Sequence, residues 1–401
     1  MMDSYGKLFT VTLFGESHGP AVGCVVDGVP AGTRLDRERI EADLARRAPG
    51  QGVWATPRTE ADVPEILSGV LDGRATGAPI AVIFRNTNTR SGDYAEIPLR
   101  PGQADWTSLL KYGGYDDRRG GGRFSGRLTA GLVFAGAIAK QLLAEKGVTV
   151  YGRVQSVAEE ADSIDLCRGF GAGAGGIAGD AGGISEKAGG CPLQDEGNSK
   201  GVGRTRDLGE CKALLRRIAE KPFPAADETE ALFLEKIIAA KDAGDSVGGV
   251  VEAVCFGLPP GTGEPFFGSV ESRVSAMLFS IPAVKGIEFG RGFAIAALRG
   301  SEANDPILPA GHGKSFVSTT NNNGGLLGGI ANGMPVIVRA AIKPTASISL
   351  PQDTVDPKTG AAVKLELEGR HDPCIAPRAV PVVEAGLAIA LIDLLIEGGL
   401  F

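Results

Sequence analysis

The chain has 401 residues, with 41 Lys or Arg against 48 Asp or Glu, a formal net charge of −7 at pH 7. Such an acidic chain lacks the dominant positive field that nucleic acid or an anionic membrane surface demands, so neither partner is expected and any basic patch must be local. With 43% hydrophobic and 22% charged residues it can build a sizeable core, and 60 glycines with 24 prolines imply many turns and close backbone approaches.

Leu8 to Phe14 alternates and reads as a strand running into the turn Gly15-Glu16-Ser17-His18-Gly19, and Ala21 to Val26 reads as a second strand. His18 is one of only three histidines. Glycines on both sides admit a ligand closely, and an imidazole titrates near neutrality, so this turn is a candidate site; the plain alternative is a surface turn. Gly15-x-Ser17-x-Gly19 also matches a hydrolase nucleophile elbow, with His312 or His371 and Asp372 as partners. An elbow needs a helix after the turn, however, and here a strand follows. Asp36 reads as the N-cap of a helix through Arg47, stopped by Pro49-Gly50, which carries Arg46 and Arg47 at its C-terminal end.

The segment from Lys111 to Arg127 gathers Lys111, Arg118, Arg119, Arg123 and Arg127 among glycines, just before a long buried helix expected over Leu128–Lys146. Exposed N–H groups and guanidinium forks together suit phosphate or carboxylate, so this is read as a local anion trap. Val148 to Tyr151 reads as a strand. Residues 169–190 form a glycine-alanine tract without a hydrophobic face, expected to be a flexible insertion at about 165–200. Its Gly171-x-Gly173-x-x-Gly176 match to a dinucleotide fingerprint carries little weight in so glycine-rich a stretch.

Further helices are expected at about 206–221, 227–242, 269–280 and 378–397, with strands near 247–256, 285–297 and 334–342. Thr319 to Gly329, with Lys343-Pro344-Thr345-Ala346-Ser347 following a strand, offers amides, hydroxyls and open backbone to a planar phosphorylated cofactor. In Gly369-Arg370-His371-Asp372-Pro373-Cys374, the proline pushes Asp372 into an extended conformation, which turns its carboxylate out of the preceding turn. The longest apolar run, Ala379 to Ile396, contains Glu384 and Asp393, so a buried helix is expected there rather than a membrane span. Pairs of strands and long helices without βαβ alternation indicate an α+β layered fold, taken as a single domain over residues 1–401. The six cysteines (Cys24, Cys167, Cys191, Cys211, Cys255 and Cys374) include no C-x-x-C pair, and no secretion signal is read. Free thiols in a cytoplasmic protein are therefore expected, with no metal site.

In this order the clusters resemble the chorismate synthases over nearly the full chain. The resemblance rests on Phe14-Gly-Glu-Ser-His-Gly with Asp27-Gly-Val-Pro30, Arg46-Arg47…Pro49-Gly50, Arg100-Pro-Gly, Lys111-Tyr-Gly, Arg118-Arg-Gly-Gly-Gly-Arg123, Asn322-Asn-Gly-Gly, Lys343-Pro-Thr and Arg370-His-Asp-Pro-Cys374. It implies a β-α-β sandwich with long helices between antiparallel sheets, a homotetramer, and reduced flavin mononucleotide as cofactor, with NADPH as a candidate reductant. It also implies an anti 1,4-elimination of phosphate from 5-enolpyruvylshikimate 3-phosphate, without net redox change. By resemblance, His18 lies near flavin N1, while Ser17 and Asp372 relay the ring proton toward flavin N5. Arg47, Arg100, Arg127 and Arg370 line substrate or cofactor anions, with Arg46 adjoining them. Arg123, Phe124, Ser125, Pro282, Ala283, Gly328, Lys343, Pro344, Thr345, Ala346, Ser347 and Arg370 match flavin-contacting positions.

Some positions depart from the family. Gln103 in Arg100-Pro-Gly-Gln103-Ala-Asp105 stands where the family usually has the histidine that protonates departing phosphate, and glutamine cannot be a general acid. Such an acid is worth about 10²–10⁴-fold in rate, so slow turnover, a substitute donor or another substrate is expected. Ala48 and Val53 replace arginines of some relatives, Pro282 replaces an asparagine, and Phe124-Ser-Gly-Arg127 replaces Ser-Ser-Ala-Arg. Gln103 also motivates two rival readings, a flavin-dependent lyase acting on another substrate and a flavin-binding protein without catalysis.

Overall fold

The alternating residues at the start of the chain build a sheet. In the computed structural model, which describes residues 3–56, 62–87, 98–167, 207–310, 316–367 and 371–401, five antiparallel strands pair in the order β1 (Ser4–Tyr5), β2 (Thr10–Gly15), β3 (Ala21–Asp27), β7 (Ile80–Arg85) and β4 (Glu65–Ile66). The first long strand begins at Thr10 rather than Leu8. The N–H groups of Lys7, Leu8 and Phe9 donate instead to the Asp393 carboxylate, at 2.8–3.0 Å. A ladder cannot include donors that are already committed.

The second antiparallel sheet runs β11 (Val284–Phe289), β16 (Val336–Ile342), β10 (Gly249–Phe256), β8 (Thr149–Val157) and β9 (Glu160–Ala161). The strand expected over 285–297 stops at Phe289. Gly290 and Gly292 take φ of 53° and 54°, which breaks the extended run and starts a short 3-10 helix at Gly292–Ala297. Four hairpins decorate the sheets: β5 (Val70–Leu71) with β6 (Arg74–Ala75), β12 (Ile307–Pro309) with β13 (Phe316–Ser318), β14 (Leu326–Leu327) with β15 (Ile330–Ala331), and β17 (Gln352–Val355) with β18 (Ala362–Leu365).

Helices fill the space between the sheets. α3 (Thr129–Glu145) lies on β3, and α8 (Ala376–Glu397) lies on β8 and β10. The two helices touch each other where a Cβ on Gly136 would overlap Ala385, so only glycine permits this crossing. α1 (Arg37–Arg47) and α6 (Val270–Phe279) flank this pair, α1 capped as expected by Asp36, whose side chain accepts from the Arg39 N–H at 3.2 Å. α4 (Leu208–Ala219) covers the far face of the second sheet over a small core that includes Cys211, Leu215, Phe256 and Ile337, and α5 (Asp227–Asp242) packs on β8. α2 (Asp105–Tyr112) and α7 (Gly300–Ala303) lie in the connections. The architecture is the expected α+β sandwich of sheet, helices and sheet. Cys24, Cys167, Cys211, Cys255 and Cys374, the five cysteines among the described residues, are all buried. The glycine-alanine tract with its fingerprint match lies outside the described residues, as do His312 and Arg370.

The two carboxylates in the apolar C-terminal run are structural. Asp393 ties down the start of the chain and pairs with Arg273. Glu384 receives both forks of Arg46 at 2.7 and 2.8 Å, Lys140 at 3.1 Å and the Gly152 N–H at 2.8 Å. Arg46 is thus paired with the buried Glu384, and with Lys140 this ties α1 and α3 to α8. Burial alone would raise the Glu384 carboxyl, but Arg46 and Lys140 more than offset it and hold the group well below its ordinary 4.5. A depressed folded value contributes stability that is present above 4.5 and lost as the pH falls toward the folded value. Glu384→Gln should therefore flatten the acid limb of a plot of melting temperature against pH below 4.5. It should also cost up to about 3 kcal/mol at neutral pH, because Arg46 and Lys140 lose their buried partner and keep only Asp43.

Candidate active site

The Gly15–Gly19 turn follows β2, and a second turn docks against it. Gly120, Gly121 and Gly122 take φ of 57°, 88° and 51°, a run of left-handed residues that only glycine adopts cheaply. The turn they make delivers bare backbone to the motif. The Ser17 N–H donates to the Gly122 carbonyl at 3.2 Å. The Ser17 hydroxyl lies 3.1 Å from both the Arg119 and Gly120 carbonyls and 3.2 Å from His18 Nδ1. A Cβ on Gly120 would overlap the His18 ring, so this glycine forms the floor beneath the imidazole. Asn86 clamps the turn from the other side, donating to the carbonyls of Glu16 at 3.0 Å and Gly19 at 2.8 Å.

The arginines converge next to it. Arg127 donates to Asn86 at 3.0 Å and pairs with Asp62, and Arg47 pairs with the same carboxylate through Nε at 2.7 Å. All three charged side chains are almost fully buried. Burial lowers the Arg47 guanidinium to about 10, opposed by Asp62 and reinforced by the cations Arg378 and Arg127. A guanidinium so strained by its neighbours is relieved by an added anion. Arg378, from the first turns of α8, donates to the Arg47 carbonyl at 3.0 Å and to Asp372 at 2.5 Å. The other Asp372 oxygen accepts the Thr56 N–H at 2.9 Å.

The remaining walls come from two loops. Arg100 forks onto Asp105 at 2.8 and 2.7 Å and donates to the Arg118 carbonyl at 3.3 Å, while the Gln103 N–H donates to the Arg100 carbonyl at 3.2 Å. The Lys343 ammonium donates to the Gly102 carbonyl, and its backbone N–H donates to the Ala283 carbonyl at 3.0 Å. Ala283 itself sits at φ 74°, a left-handed conformation that costs a non-glycine residue about 1–2 kcal/mol. The Ser246 hydroxyl donates to the Thr345 carbonyl at 2.7 Å, and the Val247 N–H donates to the Pro373 carbonyl at 2.9 Å. The 343–347 segment and the 371–374 segment are thus stapled to one loop.

These contacts close into a ring: His18 and Ser17, the triple-glycine turn, Arg100 with Gln103, Lys343 to Ser347, Asp372, Arg47, Arg127, and back through Asn86. Ser347 is buried, and the buried Thr345 Oγ1 has no hydrogen-bond partner among the described residues. Beside the ring lies a cavity of 740 Å³ lined by Phe14, Glu16, Arg123, Met277, Ile281 and Pro282 among others. Arg123 pairs with Asp3 and lies 5.7 Å from the Tyr112 ring centre, which also meets Lys111 at 5.7 Å and Phe124 at 6.4 Å. Ser125 accepts the Arg127 N–H at 3.3 Å.

Two expectations fare differently. No hydrogen bond joins Ser17 to Asp372, because each is already committed, the serine to backbone carbonyls and the aspartate to Thr56 and Arg378. Gly328 is an exposed residue of the β14–β15 turn, and the adjacent Gly329 accepts the Val270 N–H at the start of α6, whereas Pro282 and Ala283 follow that helix's other end. Asp62, Asn86, Thr56 and Arg378 were not anticipated. Asp105 stands within the Arg100 motif, and its five-residue spacing was the one available signal.

A β-α-β sandwich holding a serine-histidine pair within a ring of buried guanidiniums defines an enzyme that handles protons and anions on a small molecule. The chain belongs to the chorismate synthase family, which its sequence matches over residues 9–396. It is 43% identical to the chorismate synthase of Methanothermobacter thermautotrophicus, over 99% of this chain and 95% of the relative. It is 44% identical to that of Aeropyrum pernix, over 98% and 93%, and 44% identical to that of Thermococcus kodakarensis, over 98% and 97%. Among solved structures, a crystal structure of chorismate synthase superposes with a TM-score of 0.67 at 28% identity, covering 98% of this chain and 93% of that one. The activity is that of a carbon–oxygen lyase of the shikimate pathway, which eliminates phosphate from 5-enolpyruvylshikimate 3-phosphate to give chorismate.

Proposed function

We propose that the elimination takes place in the ring just described, with reduced FMN bound against Lys343–Ser347 and the neighbouring 740 Å³ cavity. The observation that carries this reading is the closure of the ring: stretches of chain far apart in the sequence converge on one another through named hydrogen bonds. The unpartnered Thr345 hydroxyl, the strained Ala283 and the cavity bordered by Arg123 and Pro282 fit a planar, phosphorylated group. When bound there, reduced flavin would supply the electron density that cleavage of the allylic C–O bond draws on, with no net redox change.

The chain's own residues do the rest. Arg47, Arg100 and Arg127 hold the substrate's anions, each pre-set by a carboxylate that fixes the fork and lowers the reorganisation needed on binding. Ser17 Oγ, between two carbonyls and His18 Nδ1, is a hydroxyl that can rotate to pass a proton, and Asp372 is the charged terminus on the opposite wall. Because no direct bond links them, the bound reactants must bridge the gap. His18 sets the hydrogen bonding beside the flavin.

A homotetramer is part of the same reading. Phe266, Phe267 and Phe293 are 85%, 93% and 89% exposed, and Leu327 beside Gly328 is 45% exposed. An apolar face of this kind supports burial against other copies, and through it Gly328 would serve a neighbouring subunit's flavin. The deciding assay is anaerobic incubation with reduced FMN and 5-enolpyruvylshikimate 3-phosphate, followed by chorismate absorbance, with NADPH and oxidised FMN in a parallel arm. Chorismate formation dependent on reduced FMN is expected; flavin and substrate binding without product would sink the reading.

A further inference from the structure

We propose that His371 is the acid that protonates the departing phosphate. The inference rests on the ring being the site of elimination. His371 Nε2 is buried and has no hydrogen-bond partner among the described residues, although a buried imidazole nitrogen ordinarily finds one. The ring lies within electrostatic reach of Arg100 and Asp372, the two charged groups that act on it, and these are themselves paired with Asp105 and Arg378. Gln103, whose N–H is bonded to the Arg100 carbonyl, shares that wall but carries no ionisable proton. His18, the other histidine among the described residues, is engaged with Ser17, whose hydroxyl lies against the Arg119 carbonyl.

Charge balance supplies the proton. Arg47, Arg100, Arg127 and Arg378 face Asp62, Asp105 and Asp372, so the wall is nearly neutral before anything binds. The substrate brings a phosphate and two carboxylates. Burial lowers the His371 imidazole in the free protein, Asp372 raises it and Arg100 lowers it further. A phosphate placed against Nε2 reverses that balance, and the imidazole takes up a proton on binding. In the reaction the allylic C–O bond breaks with its electron pair on the phosphate oxygen, and that oxygen takes the Nε2 proton. His371 is left neutral, while the pair from the ring C–H bond forms the new ring double bond and its proton leaves on the Ser17 side.

His371→Gln keeps a polar side chain and removes the titration. Under anaerobic turnover with reduced FMN, kcat should fall about 10²–10⁴-fold with KM changed far less, and the alkaline decline of the kcat profile should disappear. A kcat within threefold of wild type, or an alkaline decline that persists, overturns the proposal. A second measurement avoids any dependence on the variant's folding. Histidine-labelled wild-type protein, titrated with inorganic phosphate and followed by NMR, should show one imidazole whose pKa lies below 6.5 and rises with phosphate; an unmoved value for His371 overturns the proposal. Wild-type protein that makes no chorismate would sink the reading of the site, and the phosphate titration would still decide His371.

Discussion

Replacing Asp62 with alanine should cost about 3–5 kcal/mol of folding stability, a large share of what a domain possesses. Asp62 is 8% exposed and is the shared counter-ion of Arg47 and Arg127, so its loss takes the carboxylate from between two guanidiniums in a dry interior. Their mutual repulsion, now screened by the carboxylate between them, would add to the desolvation penalty. Chemical denaturation should show a lower midpoint, and Asp62→Asn, which keeps an acceptor but not the charge, should fall between alanine and wild type. A loss below about 1 kcal/mol for alanine would mean that the pair is solvated and the ring is not the closed site described. Added phosphate should partly restore the alanine variant's stability, because an anion can occupy the vacated position between the cations.

Gly120→Ala should do the reverse, sparing the fold and damaging the chemistry. A Cβ there meets the His18 ring and the Ser17 hydroxyl rather than backbone, so the side chains can swing away. The left-handed φ of 57° adds only about 1–2 kcal/mol of strain. Displacing His18 and breaking the Ser17 alignment should lower kcat about 10²-fold or more, since misplacement by an ångström has that effect on positioned groups. Gly121→Ala is the matched control. It carries similar strain at φ 88°, but its nearest outside atom is Ser125 Cβ at 3.6 Å, so it should lose stability without a comparable loss of turnover. Equal kinetic defects in the two variants would show that strain, not His18 placement, controls the rate.

Local patterns proved legible where the chemistry is local. Asp36 announces α1 because a cap and its helix lie within a few residues, and Gly120 to Gly122 announce a turn because three left-handed residues in succession exclude other side chains. The site motifs were legible for the same reason, since each is a short run of glycine with a polar residue. What escaped is the pairing between runs. Arg46 and Arg47 are neighbours, yet they project about 100° apart around α1, one onto Glu384 of α8 and the other onto Asp62. Nothing in the sequence around Asp62 marks it as the keystone of two arginines 15 and 65 residues away. Gly328 shows the complementary limit, a residue whose neighbours within its own chain do not include the segment it was grouped with.

The position of α8 has a consequence for how the protein is made. This helix follows every strand of both sheets in the sequence, yet it forms the middle of the sandwich, and its Asp393 holds the amide groups of Lys7, Leu8 and Phe9. Neither sheet can cover its inner face, nor can the first strand fix its starting point, until α8 has been synthesised. The nascent chain must therefore carry two unfinished sheets with exposed apolar faces until that helix emerges and packs between them.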